Sequence, residues 1–468
     1  MLTELRAQNF KSWQDTGQMR MASLTGLFGT NSSGKTAIIQ LLLMLKQTIE
    51  STDRQRVLHT GDEQAYVDLG TFYDVIYQHK IPGEIEFSLT WERSEPLQIV
   101  DPEGTQEQTL FSILPLSFTA QIEGTAESVT VKKFAYSFDY EHNHYTFGMS
   151  RKGTKIKTNK AEYELLAEGY SLKPSPGRKL ALPPPVKSYG FPDQVNAYYQ
   201  NAGFLADFVL SLEELFQNIY YLGPLRDYPR RSYAWAGQQP QDVGRRGELA
   251  IPALLASRTL ENQTIEERVA EWLRELELIY DFRLQPIAEN RKEYEVRVRR
   301  SKNASEVLIT DVGFGVSQIL PVLVLCYYAP KGSTIILEQP EIHLHPSVQA
   351  GLADVFIDAI KTRGVQIIVE SHSEHLLRRL QRRIAEEELA NTDTALYFCQ
   401  TDNQGDSQLI PLQLNSFGNI NNWHEGFFGD EMGELVAMTE AAMKRQIEPR
   451  RREGRKEKKK KKVHNSSC

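Results

Sequence analysis

The chain has 468 residues, 40% of them hydrophobic and 25% charged, with a formal net charge of −7; this is the make-up of a core-forming globular protein with room for two or three domains. Three scattered cysteines, Cys326, Cys399 and Cys468, exclude a disulfide framework and paired zinc knuckles and fit a reducing compartment. No stretch approaches the roughly eighteen uninterrupted apolar residues of a membrane span, and the opening MLTELRAQNFKSW lacks the layout of a secretory signal, so a cytoplasmic protein with no membrane attachment is expected.

The chain opens as strand, strand, glycine loop and helix. Leu2, Leu5 and Phe10 are the apolar positions of one segment, SLTGLFG is the next, and a helical run follows from Thr36 through IIQLLLMLK. Residues 1–82 are therefore expected to form the entry to a nucleotide-binding α/β domain. From about Gly83 to Lys152 the pattern changes to alternation of β-branched and aromatic residues (EIEFSLTW, SVTVKKFAYSFDY, HYTFGMS). Polar, proline-rich residues 153–190 read as a loop or linker, and Gln194 to Gln217 as mostly helical. Together, 83–219 are expected to be an inserted β-rich lobe with its linker and a helical segment.

Strand and helix alternation returns from about Tyr220 to Gln413, with buried-looking strands at STIILEQ and VQIIVES, so 220–413 are expected to complete the first domain. Residues 414–443, around Trp423, Phe427 and Phe428, read as a module packed on that domain. Segment 444–468 holds twelve Lys/Arg against three Glu, which leaves the rest of the chain near −16. Such a tail is expected to be solvated and unstructured, with anchoring on nucleic acid as the sharper alternative.

Gly29-Thr30-Asn31-Ser32-Ser33-Gly34-Lys35-Thr36 matches G-x-x-x-x-G-K-[ST], between an apolar strand and an apolar helix. The two glycines permit a backbone turn whose N–H groups converge, with the helix N-terminus, on phosphate oxygens. Lys35 is expected to neutralise the β- and γ-phosphates, and the Thr36 hydroxyl to ligate Mg²⁺. Thr334 to Glu338 is an apolar strand ending in a carboxylate, where such a site holds its metal. VQIIVE ends in Ser371-His372-Ser373 and delivers a polar residue to the same sheet edge, a place suited to sensing the γ-phosphate. Asp311-Val312-Gly313-Phe314-Gly315-Val316-Ser317-Gln318 leads into the helix ILPVLVLCYY and offers a second helix N-terminus to an anion.

The succession NFKSW, GTNSSGKT, DVGFGVSQ, IILEQPEIHLHP and VESHS resembles the ABC-type P-loop ATPases of the SMC, RecF and OLD group. It is most similar to compact prokaryotic AAA-type ATPases with a C-terminal module reading NINNWHEGFFGDEMGEL and without the paired acids of a Toprim nuclease. The resemblance implies an α/β P-loop NTPase fold, ATP and Mg²⁺ as cofactors, and a homodimer with two nucleotides sandwiched between copies, higher oligomers being left open. Gly315 and Ser317 match the signature that reaches the partner's γ-phosphate. Leu344 to Pro346 match an interface loop, and His372 the switch histidine. Thr36 and Glu338 would hold the metal.

One departure stands out. Where relatives carry a second acid after the strand-end acid, this chain has Gln339, which can orient water but cannot accept its proton. Hydrolysis is then expected to be slow and to rely on Glu341 or on Gln339 as a positioner. The resemblance further implies action with DNA and a separate effector, a nuclease or toxin, in genome maintenance or antiphage defence. The alternative is a slowly hydrolysing, nucleotide-bound scaffold or sensor that restrains an effector. His343, His345, His372 and His375 have spacings that zinc tolerates, but the resemblance assigns the first pair to the interface loop. Arg226, Arg230 and Arg231 offer cationic contacts to phosphate or DNA, against a structural or surface role. Asp68, Leu69 and Gly70 read either as a nucleotide-linked loop or as a turn with a buried anchor.

Overall fold

Strands that are apolar along their whole length need cover on both faces. In the computed structural model, β4 (Leu24–Gly29), β17 (Thr334–Glu338) and β18 (Gln366–Glu370) are buried at every residue. With β12 (Ile219–Leu222) and β19 (Thr394–Thr401) they make a parallel sheet in the order β12, β17, β18, β4, β19, edged by the antiparallel β20 (Ser407–Pro411). A strand from the start of the chain thus lies between two from its far end. The structure describes residues 1–102, 108–153, 162–177, 181–260, 264–423 and 436–443.

Two compact units are separable, Met1–Asn421 and Asn422–Cys468. In the second, residues 436–443 are helical. Residues 424–435 of the expected C-terminal module, Phe427 and Phe428 among them, and the basic segment 444–468 lie outside the described residues.

The second large sheet belongs to the first unit. It runs β11 (Tyr163–Glu168), β10 (Asn143–Arg151), β9 (Val129–Tyr140), β8 (Leu116–Gly124), β5 (Gly83–Trp91), β1 (Leu2–Phe10), β2 (Trp13–Asp15), with β3 (Met19–Arg20) beside β1. Burial alternates residue by residue along β8, as expected of a sheet with one face on a core. The stretch expected as an inserted lobe therefore joins the N-terminus edge to edge, since β5 pairs antiparallel with β1.

Two expectations need correction. The stretch 153–190 is not all linker: β11 pairs with β10, and Tyr163, 1% exposed, donates its hydroxyl to the Val131 carbonyl at 2.6 Å. As an edge strand with one deeply buried side chain, β11 carries too weak an alternation to read. The alternation over 220–413 is also interrupted, by a small sheet of β13 (Tyr233–Ala234), β14 (Asp281–Pro286), β15 (Glu293–Arg299) and β16 (Val307–Leu308).

The hairpin of β6 (Leu97–Val100) and β7 (Thr109–Ile113) sends Phe111 into an aromatic cluster with Phe138, Phe147 and Phe204, which Phe208 extends. The α-helices described in the first unit are α1 (Lys35–Glu50), α2 (Phe72–Val75), α3 (Gln194–Tyr198), α4 (Leu205–Gln217), α5 (Ala250–Leu260), α6 (Thr264–Glu275), α7 (Phe314–Tyr328), α8 (Pro346–Arg363) and α9 (Glu374–Ala385). α1 is buried almost all round, because one continuous core joins its Ile39 and Leu41 to Leu5 and Phe10 of one sheet and Leu27, Ile336 and Ile368 of the other. Register sets Glu338 beside Glu370 and Glu370 beside Leu27. Three strand ends thereby meet at one edge of the parallel sheet, where open α/β sheets bind their ligands.

Candidate functional site

The loop between β4 and α1 runs where side chains do not fit. Gly29 has φ +138°, and a Cβ there would meet the Cys399 carbonyl oxygen at 2.0 Å; Gly34 has φ +87°, and its Cβ would meet Ser407 Oγ at 2.4 Å. Ser33 Oγ donates to the Thr30 carbonyl at 2.8 Å, and Trp13 Nε1 to the Gly34 carbonyl at 3.0 Å, so the turn is braced from inside and from β2. The first amides of α1 have no acceptor within their helix and face the loop, a ready anion site. Lys35 is 3% exposed and donates to the carbonyls of Gly29 at 3.2 Å and Thr30 at 2.7 Å. Burial lowers its pKa, and the Glu370 carboxylate works against that shift.

Above the loop is a cavity of about 290 Å³ lined by residues 31–37, Lys11, Ser12, Gln339, Glu370 and His372. Larger depressions of about 550 and 690 Å³ lie elsewhere, near Trp91 and near Tyr66. Size does not decide between them; only the first has loop amides, a lysine and a carboxylate converging.

The acids are arranged unevenly. Thr36 Oγ1 lies 3.0 and 2.9 Å from the two oxygens of Glu370, and Gln339 Nε2 lies 3.4 Å from one of them. Glu338 instead accepts from the Tyr221 hydroxyl at 3.0 Å, and burial, with the nearby Glu370 charge, pushes its carboxyl up to about 7. Glu341 accepts the His372 backbone N–H at 2.7 Å through one oxygen, while its other oxygen is buried without a hydrogen bond. Burial also raises the pKa of Glu341 and Glu370. His372 stands at the rim of the cavity, and burial of one side, then the Lys35 charge, favours its neutral imidazole.

Thr36 and Glu370 bring oxygen donors together beside the phosphate-type loop, and the Glu338 carboxylate stands one strand further away. Among the described residues, no three His, Cys, Asp or Glu side chains form a metal cage. Oxygen donors completed by phosphates are how Mg²⁺ is usually held, so the residues fit that ion.

Arg226 is 5% exposed, not a surface contact for nucleic acid. Its Nη2 lies 3.4 Å from the Glu338 carbonyl, its other two nitrogens are buried without hydrogen bonds, and burial holds its pKa down to about 10. Arg230 and Arg231 are exposed and pair with Asp227 and Asp311. Asp68 to Gly70 do not line the loop cavity: the Gly70 N–H donates to Asp68 Oδ1 at 3.2 Å, Leu69 and Phe72 are each 6% exposed, and the Val75 carbonyl accepts the Lys11 N–H at 2.7 Å.

Gly315 and Ser317 open α7, away from the loop cavity. Ser317 Oγ donates to the Phe314 carbonyl at 2.7 Å, and Ser317 borders a separate depression with Tyr228 and Arg230. Phe314 sits between Tyr228 and His343, with ring centroids at 5.4 and 5.5 Å. His345 caps α8, accepting the Ser347 N–H at 3.3 Å. Sequence reasoning overlooks Lys11, Ser12 and Glu370 as cavity residues. NFKSW and VESHS are the only sequence signals that point to them.

Residues 256–377 match the family model "AAA ATPase domain", and residues 389–438 match "Protein of unknown function (DUF3696)". No curated protein matches the chain. Among solved structures, the SMC head domain from Thermotoga maritima aligns at 12% identity and a TM-score of 0.39, over 88% of this chain and 99% of that one. A second, titled as an Smc head domain with an extended coiled coil bound to the C-terminal domain of ScpA derived from Pyrococcus furiosus, aligns at 11% identity and 0.42, over 88% and 96%. A phosphate-type loop at the edge of a parallel sheet thus stands in the same chain as a segment, residues 256–377, that matches an AAA ATPase domain.

Proposed function

We propose that the chain binds ATP with Mg²⁺ at the Gly29–Thr36 loop and hydrolyses it slowly between two copies, each lending Gly315 and Ser317 to the nucleotide of the other. The observation that carries this reading is the separation, within one chain, of the loop cavity from the depression that Ser317 borders. A subunit alone has half of a site. The loop amides and Lys35 hold the phosphates, Thr36 with the strand-end acids holds the ion, and the ion, when bound, neutralises charge developing on the phosphoryl oxygens. His372 senses the terminal phosphate from the rim. Gln339 orients water without taking its proton, and Glu341, tied to the His372 amide, is the candidate to receive it.

Slow turnover suits a closed dimer that acts as a clamp. By the resemblance, that clamp works with DNA and with a separate nuclease or toxin in genome maintenance or antiphage defence. Gln339 also favours the second reading, a nucleotide-held scaffold that restrains its effector, and turnover measured with and without DNA separates the two.

The composite site is tested by mixing inactive partners. Lys35→Ala destroys one loop and Ser317→Arg one signature, so each alone should fall below about a tenth of wild-type turnover, whereas an equal mixture regains roughly a quarter, because half the dimers are mixed and each has one intact site. No recovery on mixing, with wild type active, overturns the shared site.

A further inference from the structure

We propose that Glu370 is the second carboxylate of the magnesium–nucleotide site, supplying beside Thr36 the negative charge that Gln339 lacks. This deepens the reading of the loop as an ATP site and rests on it. The geometry comes from strand order. β18 lies between β4, which feeds the loop, and β17, which ends in Glu338. The acid closing β18 is therefore one strand nearer the loop than Glu338, and it is Glu370 that touches Thr36.

Both Glu370 oxygens are within 3.0 Å of Thr36 Oγ1. Oxygens at 2.0–2.1 Å around an octahedral ion are separated by about 2.9 Å at neighbouring vertices, so the two side chains already hold the spacing of adjacent ligands. Glu338, by contrast, spends its carboxylate on Tyr221.

Charge gives an independent argument. Glu370 is 1% exposed and lines the loop cavity, and its neighbours there are the Thr36 hydroxyl, the Gln339 amide and the Lys35 cation. Lys35 is also the cation that the phosphates claim. A buried carboxylate whose counter-charge is drawn toward a ligand is costly unless a second cation arrives with that ligand. A divalent ion brought in with the triphosphate answers that need. Where the resemblance implies a second acid, this chain has the amide Gln339, just past β17, and the acid Glu370 closes β18 in side-chain contact with it at 3.4 Å.

The test is Mn²⁺ binding, read by electron paramagnetic resonance with ATP present, alongside binding of a fluorescent ATP analogue in EDTA. Glu370→Gln keeps an oxygen for Thr36 and removes only the charge. We expect Mn²⁺ affinity to fall at least about tenfold, with metal-free analogue binding unchanged or tighter, and the double variant Gln339→Glu/Glu370→Gln to recover most of the loss. Glu370→Thr, smaller and also neutral, should show the same loss if the glutamine variant fails to fold. Mn²⁺ affinity equal to wild type in a folded neutral variant overturns the assignment, leaving Glu370 as a brace for Thr36. Wild type that binds no ATP analogue at all overturns the ATP site itself, a distinct outcome.

Discussion

Replacing Glu338 by glutamine should stabilise the protein at about pH 8 and change little at about pH 5 when divalent metal is chelated. Glu338 is 5% exposed, and burial first, with the Glu370 charge second, lifts its carboxyl from 4.5 to about 7, against the Tyr221 hydroxyl, which favours the charged form. Between those two values the folded protein holds a proton that the unfolded chain has released. Stability therefore falls as pH rises through that window, and at about 1.4 kcal/mol per pH unit the cost above it is about 3 kcal/mol. Glutamine keeps a carbonyl oxygen for Tyr221 and has no charge to desolvate. Urea denaturation in EDTA from about pH 5 to about pH 8 should give the variant a flatter profile and a gain of roughly 2–3 kcal/mol at the alkaline end. Mg²⁺ with ATP should reverse the order by stabilising wild type more. A variant less stable than wild type at about pH 8, or one whose advantage is equal at every pH, would refute the claim that a desolvated charge sits at this strand end.

Two further outcomes follow from the loop. Gly29→Ala forces a Cβ to within 2.0 Å of the Cys399 carbonyl oxygen, which β19 pairing with β4 holds in place; its urea midpoint should drop by the equivalent of roughly 3 kcal/mol or more. Gly17→Ala, at φ +65° with nothing within 4 Å of the added carbon, should cost only about 1 kcal/mol, and equal losses at the two sites would contradict the steric argument. Trp13→Phe removes the 3.0 Å bond from Nε1 to the Gly34 carbonyl while keeping the ring in its buried place. Affinity for a fluorescent ATP analogue should fall about fivefold, near 1 kcal/mol, and an unchanged titration would show that the turn needs no brace from β2.

How much of this site is legible in the sequence depends on whether its parts are contiguous. The loop from Gly29 to Thr36 is legible because its amides, lysine and hydroxyl come from one run of residues, and β17 and β18 because a strand buried on both faces is apolar throughout. β11 escapes because an edge strand buries little more than Tyr163. Arg226 misleads because Asp227, Arg230 and Arg231 make its neighbourhood look like surface, whereas the turn after β12 tucks the guanidinium beneath the carbonyl of Glu338. Glu370 is the instructive case. As the last residue of VQIIVE it reads as the end of a strand preceding the switch histidine, and Glu338 reads as the metal acid because it closes the other apolar strand. Which acid meets Thr36 depends on which strand lies beside β4, and that is a property of pairing that no local pattern encodes. With β18 in that place, the carboxylate at 370 faces the hydroxyl and the one at 338 stands a strand further away. Division of labour between two acids of the same type is thus decided by a strand spacing of about 4.8 Å, longer than any hydrogen bond.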